Sequence, residues 1–275
     1  MSSNGCYLLS LCFSCDDLNY KKAIEQSLLV LSEEKSVCSV IIVQNLHGTF
    51  KFDHEDLDLY REKRIFIYFQ EGKGLSRSRN LGLEKSKSNY VWILDGDVEF
   101  DIPIVSKLIF SLRNRSEKKS TLSIKIKCTE CNKPYKNYKN KKMIKKSDFL
   151  KISSIEMIIA KAEQEKREVW FDEKLGLGAK YKGTEEVDFL LRFHGNDKDS
   201  HEFLDLFPAK HTCLGENRSR PEINIFYARG ALLKKIGGLE SVAIFIYWGV
   251  KFSFRWKNAS IFFMLYEGYR HGLPD

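Results

Sequence analysis

Apolar residues fall in short unbroken runs along the first hundred positions. Cys6 to Phe13 is the first, bounded by the polar stretch Ser14 to Asn19; Ser39 to Val43, Ile65 to Phe69 and Tyr90 to Leu94 repeat it. Runs of this length, without polar alternation, predict strands buried on both faces. Between them the spacing turns helical. Tyr20 to Leu31 puts Ala23, Ile24, Ser27, Leu28 and Leu31 on one face, and Ser76 to Glu84 follows the turn at Gly72 to Gly74. Strand, helix, strand, strand, helix, strand predicts an α/β chain with a mixed, mainly parallel sheet flanked by helices. Helices are also expected over Ile102 to Leu112, Asp148 to Glu165 and Glu185 to Phe193, the last with acids at its front, where the helix dipole favours them.

The strand Tyr90 to Leu94 ends on Asp95-Gly96-Asp97. Ligands of open α/β sheets sit at the carboxyl ends of strands. Two like charges at such an end raise the question of what positive group meets them, although an Asp-Gly turn alone produces the same pattern.

With 275 residues, 43% of them hydrophobic, the chain can bury a core. Met1 to Gly5 is polar and no secretory signal is expected. No apolar run nears the roughly 20 residues that span a bilayer. Seven cysteines, an odd number, favour reduced thiols, and the Cys128–Cys131 pair lacks the second pair a zinc knuckle needs. The net charge of +8 is uneven: Arg113 to Lys146 carries 13 basic residues against Glu117 and Glu130, or +11, leaving about −3 for the remainder. That segment suits nucleic acid, anionic lipid or a phosphorylated substrate, or is a solvated loop.

Two separated stretches, "GLSRSRNLGL…YVWILDGDVEF" and "FDEKLGLGAKYKGTEEVDFLLR", resemble family-2 nucleotide-sugar glycosyltransferases of the Rossmann-like GT-A fold, most of all bacterial members that build surface polysaccharides. The resemblance runs more weakly from about Cys6 to Gly238. It implies a metal-dependent, inverting transfer of sugar from a nucleotide donor to a surface glycan such as lipopolysaccharide, capsule or exopolysaccharide, or to a lipid-linked glycan. The family's Asp-x-Asp motif falls on Asp95-Gly96-Asp97. Asp97 is then the direct ligand of Mn²⁺ or Mg²⁺, and Asp95 holds the ribose or the metal. A hard cation held by carboxylates suits a departing diphosphate. His211 in "FPAKHTCLG" is the candidate third ligand.

The family's base is the second acid of its pair, Glu186 here, with Glu185 the alternative. A carboxylate opposite the leaving group takes the acceptor's proton, and displacement from behind inverts the sugar. Many relatives have glycine where Thr184 stands. Arg79-Asn80 fits a pair expected near the nucleotide. Gln44-Asn45 stands where the family often has aspartates. By resemblance Gly176 and Gly178 shape the acceptor side; Trp170, Phe171 and Glu156 are weaker candidates for the same cleft.

The expected domain is residues 1–238, its nucleotide half about 1–112 and its acceptor half 113–238. A C-terminal helical appendage, 239–275, mixes aromatics with Lys251, Arg255, Lys257 and Arg270. It either closes the core or lies on an anionic membrane surface, in keeping with a cytoplasmic protein peripheral to the inner face of the cell membrane. The rival readings are a sugar nucleotidyltransferase, whose glycine- and arginine-rich N-terminal loop is missing from "LLSLCFSCDDLNY", and a nucleic-acid-binding protein using Arg113 to Lys146. No recognisable motif supports the latter, and no nucleic-acid partner is expected.

Overall fold

The computed structural model describes residues 7–44, 54–115, 120–138, 146–195, 197, 200–212 and 222–273. Asn45 and much of the basic segment (116–119 and 139–145) lie outside them. The first half alternates as its pattern requires: β1 (Tyr7–Asp16), α1 (Tyr20–Glu33), β2 (Val37–Gln44), α2 (His54–Glu62), β3 (Ile65–Gln70), α3 (Leu75–Lys85), β4 (Ser88–Asp95), β5 (Glu99–Phe100) and α4 (Ile102–Arg113). Strands β6 (Thr121–Ser123), β7 (Ile126–Cys128) and β8 (Met157–Ala160) follow, then α5 (Lys161–Arg167), α6 (Glu185–His194), β9 (His201–Phe203), β10 (Ala209–His211), α7 (Asn224–Ile236), α8 (Gly238–Trp256) and α9 (Ser260–His271).

The main sheet has seven strands in the order β3-β2-β1-β4-β8-β6-β9. Its first four are parallel, and β8 is antiparallel to both β4 and β6. Leu9, Leu11, Phe13 and Cys15 of β1 pack with α1 and α4 on one face, while Cys12 joins Leu83, Phe189 and Leu232 on the other. Both faces are covered, so the strands read as unbroken apolar runs.

Register brings the polar strand ends together. Asp16 is opposite Gln44, Gln44 is opposite Gln70, and Ser14 is opposite Asp95. The chain winds outward from β1 in one direction through β2 and β3 and in the other through β4. The crevice at this reversal of strand order is the usual ligand site of such sheets.

The helix expected over Asp148 to Glu165 is not one element. Lys146–Lys151 and Ser154–Glu156 form 3₁₀ turns, Met157–Ala160 is a strand, and only Lys161–Arg167 is α-helical. Met157-Ile158-Ile159-Ala160 is buried throughout and fills the gap between β4 and β6, so ladder partners far along the chain override local helical spacing. Glu156 is correspondingly no cleft residue. It is buried, accepts from Tyr138 Oη at 2.5 Å and Lys136 Nζ at 2.6 Å, and closes a capping box with Ser153.

The expected boundary at residue 238 falls where α8 begins. The appendage is fastened through α9: a Cβ on Gly230 would lie 2.1 Å from Leu265 O, and one on Gly268 1.9 Å from Tyr227 O, so α7 and α9 touch backbone to backbone. Cys128 is disulfide-bonded, against the expectation of reduced thiols throughout, and so does not form a metal pair with Cys131.

Candidate active site

Asp95 closes β4 and Asp97 follows one turn residue later. Gly96 between them has no left-handed φ; its role is space. A Cβ there would come 2.9 Å from Cys15 Sγ, near the end of β1, and 3.2 Å from Asn19 Cβ, at the start of α1. The glycine thus lets the Asp-Gly-Asp turn press against β1 at the reversal point. Gly96→Ala is expected to cost about 1–3 kcal/mol by overpacking, measurable as a lower denaturation midpoint at unchanged slope.

A second sheet, β5-β10-β7, brings His211 to the same place. β5 starts two residues after Asp97 and runs antiparallel to β10, pairing Phe100 with Ala209 and Glu99 with Lys210. The next position along β10 is His211, whose Nε2 lies 3.0 Å from Asp97 Oδ1 and 3.9 Å from Asp95 Oδ2. Its ring is packed edge-on by Tyr135, 5.8 Å away. The hydrogen bond from His211 holds the Asp97 carboxyl below its ordinary pKa, against burial. Burial disfavours the His211 cation, but the bond to Asp97 and that group's charge outweigh it and raise the pKa.

Arg79 joins this end of the cleft to the acidic pair. It projects from α3, is 1% exposed, and donates through Nη1 to Glu185 Oε1 at 2.6 Å. Through Nη2 it reaches Asp95 Oδ1 at 3.2 Å and Ser154 Oγ at 2.8 Å. The guanidinium stands 5.7 Å from the centre of the Phe171 ring, which is itself core, stacked on Phe189 at 4.5 Å. The fork of fixed donors explains why arginine serves here and lysine would not.

The two acids are therefore unequal. Glu185 is buried in its bond to Arg79, and its Oε2 has no hydrogen-bond partner among the described residues. Glu186 is half-buried, forms no ion pair among the described residues, and keeps a path to solvent. Burial first, then the Glu185 charge, push its carboxyl up to about 8, with the Arg79 charge opposing. Asp188 faces the other way, fully buried and paired with Arg192 at 2.7 Å and with Lys235. Thr184 caps α6 at φ 73°, a left-handed conformation costly for a β-branched residue, at the position where glycine was expected of relatives.

Arg79 and Asn80, expected beside the nucleotide, are both turned inward. Asn80 Nδ2 donates to Phe171 O at 2.9 Å and its Oδ1 accepts from Phe171 N at 2.8 Å, so its amide clamps that loop. Gln44 sits at the crevice, but its Oε1 accepts from Gly74 N at 3.0 Å. Gly176 and Gly178 do not form an open loop either. Both have left-handed φ, and the loop is latched to α3 by Leu75 N to Leu177 O at 2.9 Å and Ser76 Oγ to Leu175 O at 2.6 Å. A Cβ on Gly176 would stand 3.3 Å from Glu185 Cδ, so this glycine makes room for the buried acid. Trp170, partly exposed, stays open to solvent where Phe171 does not. Ser154 and Gln70 escaped the sequence reading: a serine pair at the edge of an apolar stretch carries no signal, whereas Gln70 was visible as one more polar residue ending a buried strand.

The donor set at Asp95, Asp97 and His211 suits a divalent cation. Two carboxylates and an imidazole converge on one end of the cleft, all partly exposed, leaving room for substrate oxygens. Among the described residues no group of three such side chains is set to hold an ion by itself.

The glycosyl transferase family 2 model matches residues 18–155, half of the chain, and includes the Asp95-Gly96-Asp97 turn and Arg79. The chain belongs to this family and is a glycosyltransferase of GT-A fold. Among solved structures, residues 1–349 of Staphylococcus aureus TarS superpose with a TM-score of 0.59 at 14% identity, covering 97% of this chain and 92% of that one. The same TarS fragment in complex with UDP-GlcNAc gives 0.56 at 13% identity, over 96% and 91% of the two chains. The longer TarS structure gives 0.57 at 15% identity, over 85% of this chain and 41% of that one. At these identities the likeness is one of fold. No curated protein sequence matches the chain. Family membership replaces the nucleotidyltransferase and nucleic-acid-binding alternatives.

Proposed function

We propose that this glycosyltransferase takes a sugar from a nucleoside-diphosphate donor and adds it, with inversion, to a surface glycan or lipid-linked glycan on the cytoplasmic side of the cell membrane. The observation that carries the reading is the Arg79 bridge. One buried guanidinium bonds Asp95 at one end and Glu185 at the other, so the Asp-Gly-Asp turn and the acidic pair stand on one cleft. UDP-GlcNAc in the TarS complex is consistent with a nucleotide-sugar donor.

The residues divide the work. Asp95, at the end of β4, is placed to hold the donor's ribose or phosphate end. Asp97, Asp95 and His211 would hold Mn²⁺ or Mg²⁺, which, when bound, neutralises charge on the leaving diphosphate. Glu186 removes the acceptor hydroxyl's proton as that oxygen attacks the anomeric carbon. Glu185, tied to Arg79, fixes the start of α6 and keeps the base in place. Trp170 is available to stack on a sugar ring.

Thermal shift against a panel of nucleoside diphosphates, with and without Mn²⁺, tests this reading. A rise of several degrees is expected for one nucleotide and only with the cation. Asp97→Asn should abolish that rise together with turnover. No rise with any nucleotide under any metal condition counts against the donor assignment.

A further inference from the structure

Helix α8 has two apolar faces, and among the described residues its helix neighbours, α7 and α9, cover only one of them. Its inner side, including Ser241, Trp248, Gly249 and Phe252, packs on α7 and α9. Its outer side carries Leu239, Val242, Ala243, Ile246, Tyr247, Val250 and Phe254, at the three- and four-residue spacing of one helical stripe. Leu239 is 89% exposed, Val250 62% and Phe254 87%. On α9, which packs along α8, Phe262, Phe263 and Tyr266 are also exposed, with Phe262 against Gly249 of α8. An isolated exposed leucine is ordinary; a contiguous stripe along a 19-residue helix, about 28 Å long, marks a contact surface.

Charge selects the occupant. Lys251 and Arg255 lie on the same exposed side and Lys257 caps the helix, with Arg270 on α9. No Asp or Glu is among the exposed residues of either helix: Glu240 bonds Ser147 Oγ at 2.5 Å, and Glu267 pairs with His271. A second copy of this chain docked face to face would oppose these cations to their like with no acid to meet them. Anionic headgroups complement them, while the rings and aliphatic side chains enter the acyl boundary. Among the described residues no helix is long and apolar enough to cross a bilayer, so contact with one would run along its surface.

We infer that the outer face of α8, together with Phe262, Phe263 and Tyr266 of α9, seats this protein on an anionic membrane surface. The inference deepens the proposed function, resting on it only for the use of the contact, which would hold the cleft near an acceptor carried on lipid. The contact itself requires no turnover.

Co-sedimentation of the full chain with vesicles tests it. Binding is expected to phosphatidylcholine mixed with phosphatidylglycerol, not to phosphatidylcholine alone, and should fall as salt rises. Val250→Asp with Phe254→Asp, and separately Lys251→Glu with Arg255→Glu, should each lower vesicle binding about tenfold or more. All four positions are exposed, so the melting temperature and the nucleotide-dependent thermal shift should stay as in the unsubstituted chain. Equal binding by the apolar variant overturns the inference. So does a chain that ignores anionic vesicles but forms a dimer which the same substitutions dissociate. A normal nucleotide shift beside absent vesicle binding would sink this inference alone; vesicle binding without any nucleotide shift would sink the proposed function alone.

Discussion

Glu186→Gln is expected to lower transfer about 10²–10⁴-fold, the usual worth of a positioned general base, if Glu186 is the base proposed above, while donor binding measured by thermal shift should be kept. The amide has the carboxylate's shape but takes no proton. Glu185→Gln has a different profile, because that acid already accepts from Arg79 and its loss disturbs the cleft's packing before its chemistry. Near-full activity in Glu186→Gln would refute the base assignment.

The same residue sets a pH dependence. Burial and the Glu185 charge push the Glu186 carboxyl up to about 8, so it is protonated over part of the neutral range. Only the ionised form accepts a proton, so kcat/KM should rise with pH through that region and level off above it. For folding the sign is opposite. The folded protein retains a proton that the unfolded chain releases near 4.5, so Glu186 makes stability fall as pH climbs from about 4.5 to about 8. Glu186→Gln should flatten this component of the stability profile and be relatively more stable at the alkaline end.

Arg79→Met has the largest expected effect on folding. It removes the one cation that, among the described residues, is bonded to Glu185, and leaves a 5% exposed carboxylate uncompensated. Breaking a buried pair from one side costs about 3–5 kcal/mol. Adding Glu185→Gln removes the stranded charge and should restore a large share of that stability, so the double variant will be more stable than Arg79→Met alone in chemical denaturation. If both single variants and the double lose stability additively, the buried pair is not coupled as the geometry requires. Loss of the Arg79 charge should also move Glu186's titration upward, since that charge opposes the shift.

Much of this site was legible in the residues. Asp95 and Asp97 lie at the end of β4 and Glu186 in the first turn of α6, as the strand and helix spacing led one to expect, and the polar ends of β1 to β4 follow from apolar runs that stop abruptly on Asp or Gln. The roles of Arg79, Asn80 and Gly96 were not legible. A motif shows that an arginine precedes a strand, but not that its Nη1 and Nη2 face inward to Asp95, Glu185 and Ser154. Nor does it show that the middle residue of Asp-Gly-Asp is limited by a cysteine eighty residues earlier.

What the chain order alone determined is local: the alternation of buried strand and amphipathic helix, the acids at the start of α6, and the turn chemistry at Asp95-Gly96-Asp97. These depend on side chains a few positions apart, whose spacing is readable. Tertiary structure decided the conversion of Met157–Ala160 from expected helix to sheet, the delivery of His211 to Asp97 through β5 and β10, and the unequal surroundings of Glu185, bonded to Arg79, and Glu186. Each turns on partners distant in the chain, where ladder register, burial and charge neutralisation outweigh local preference.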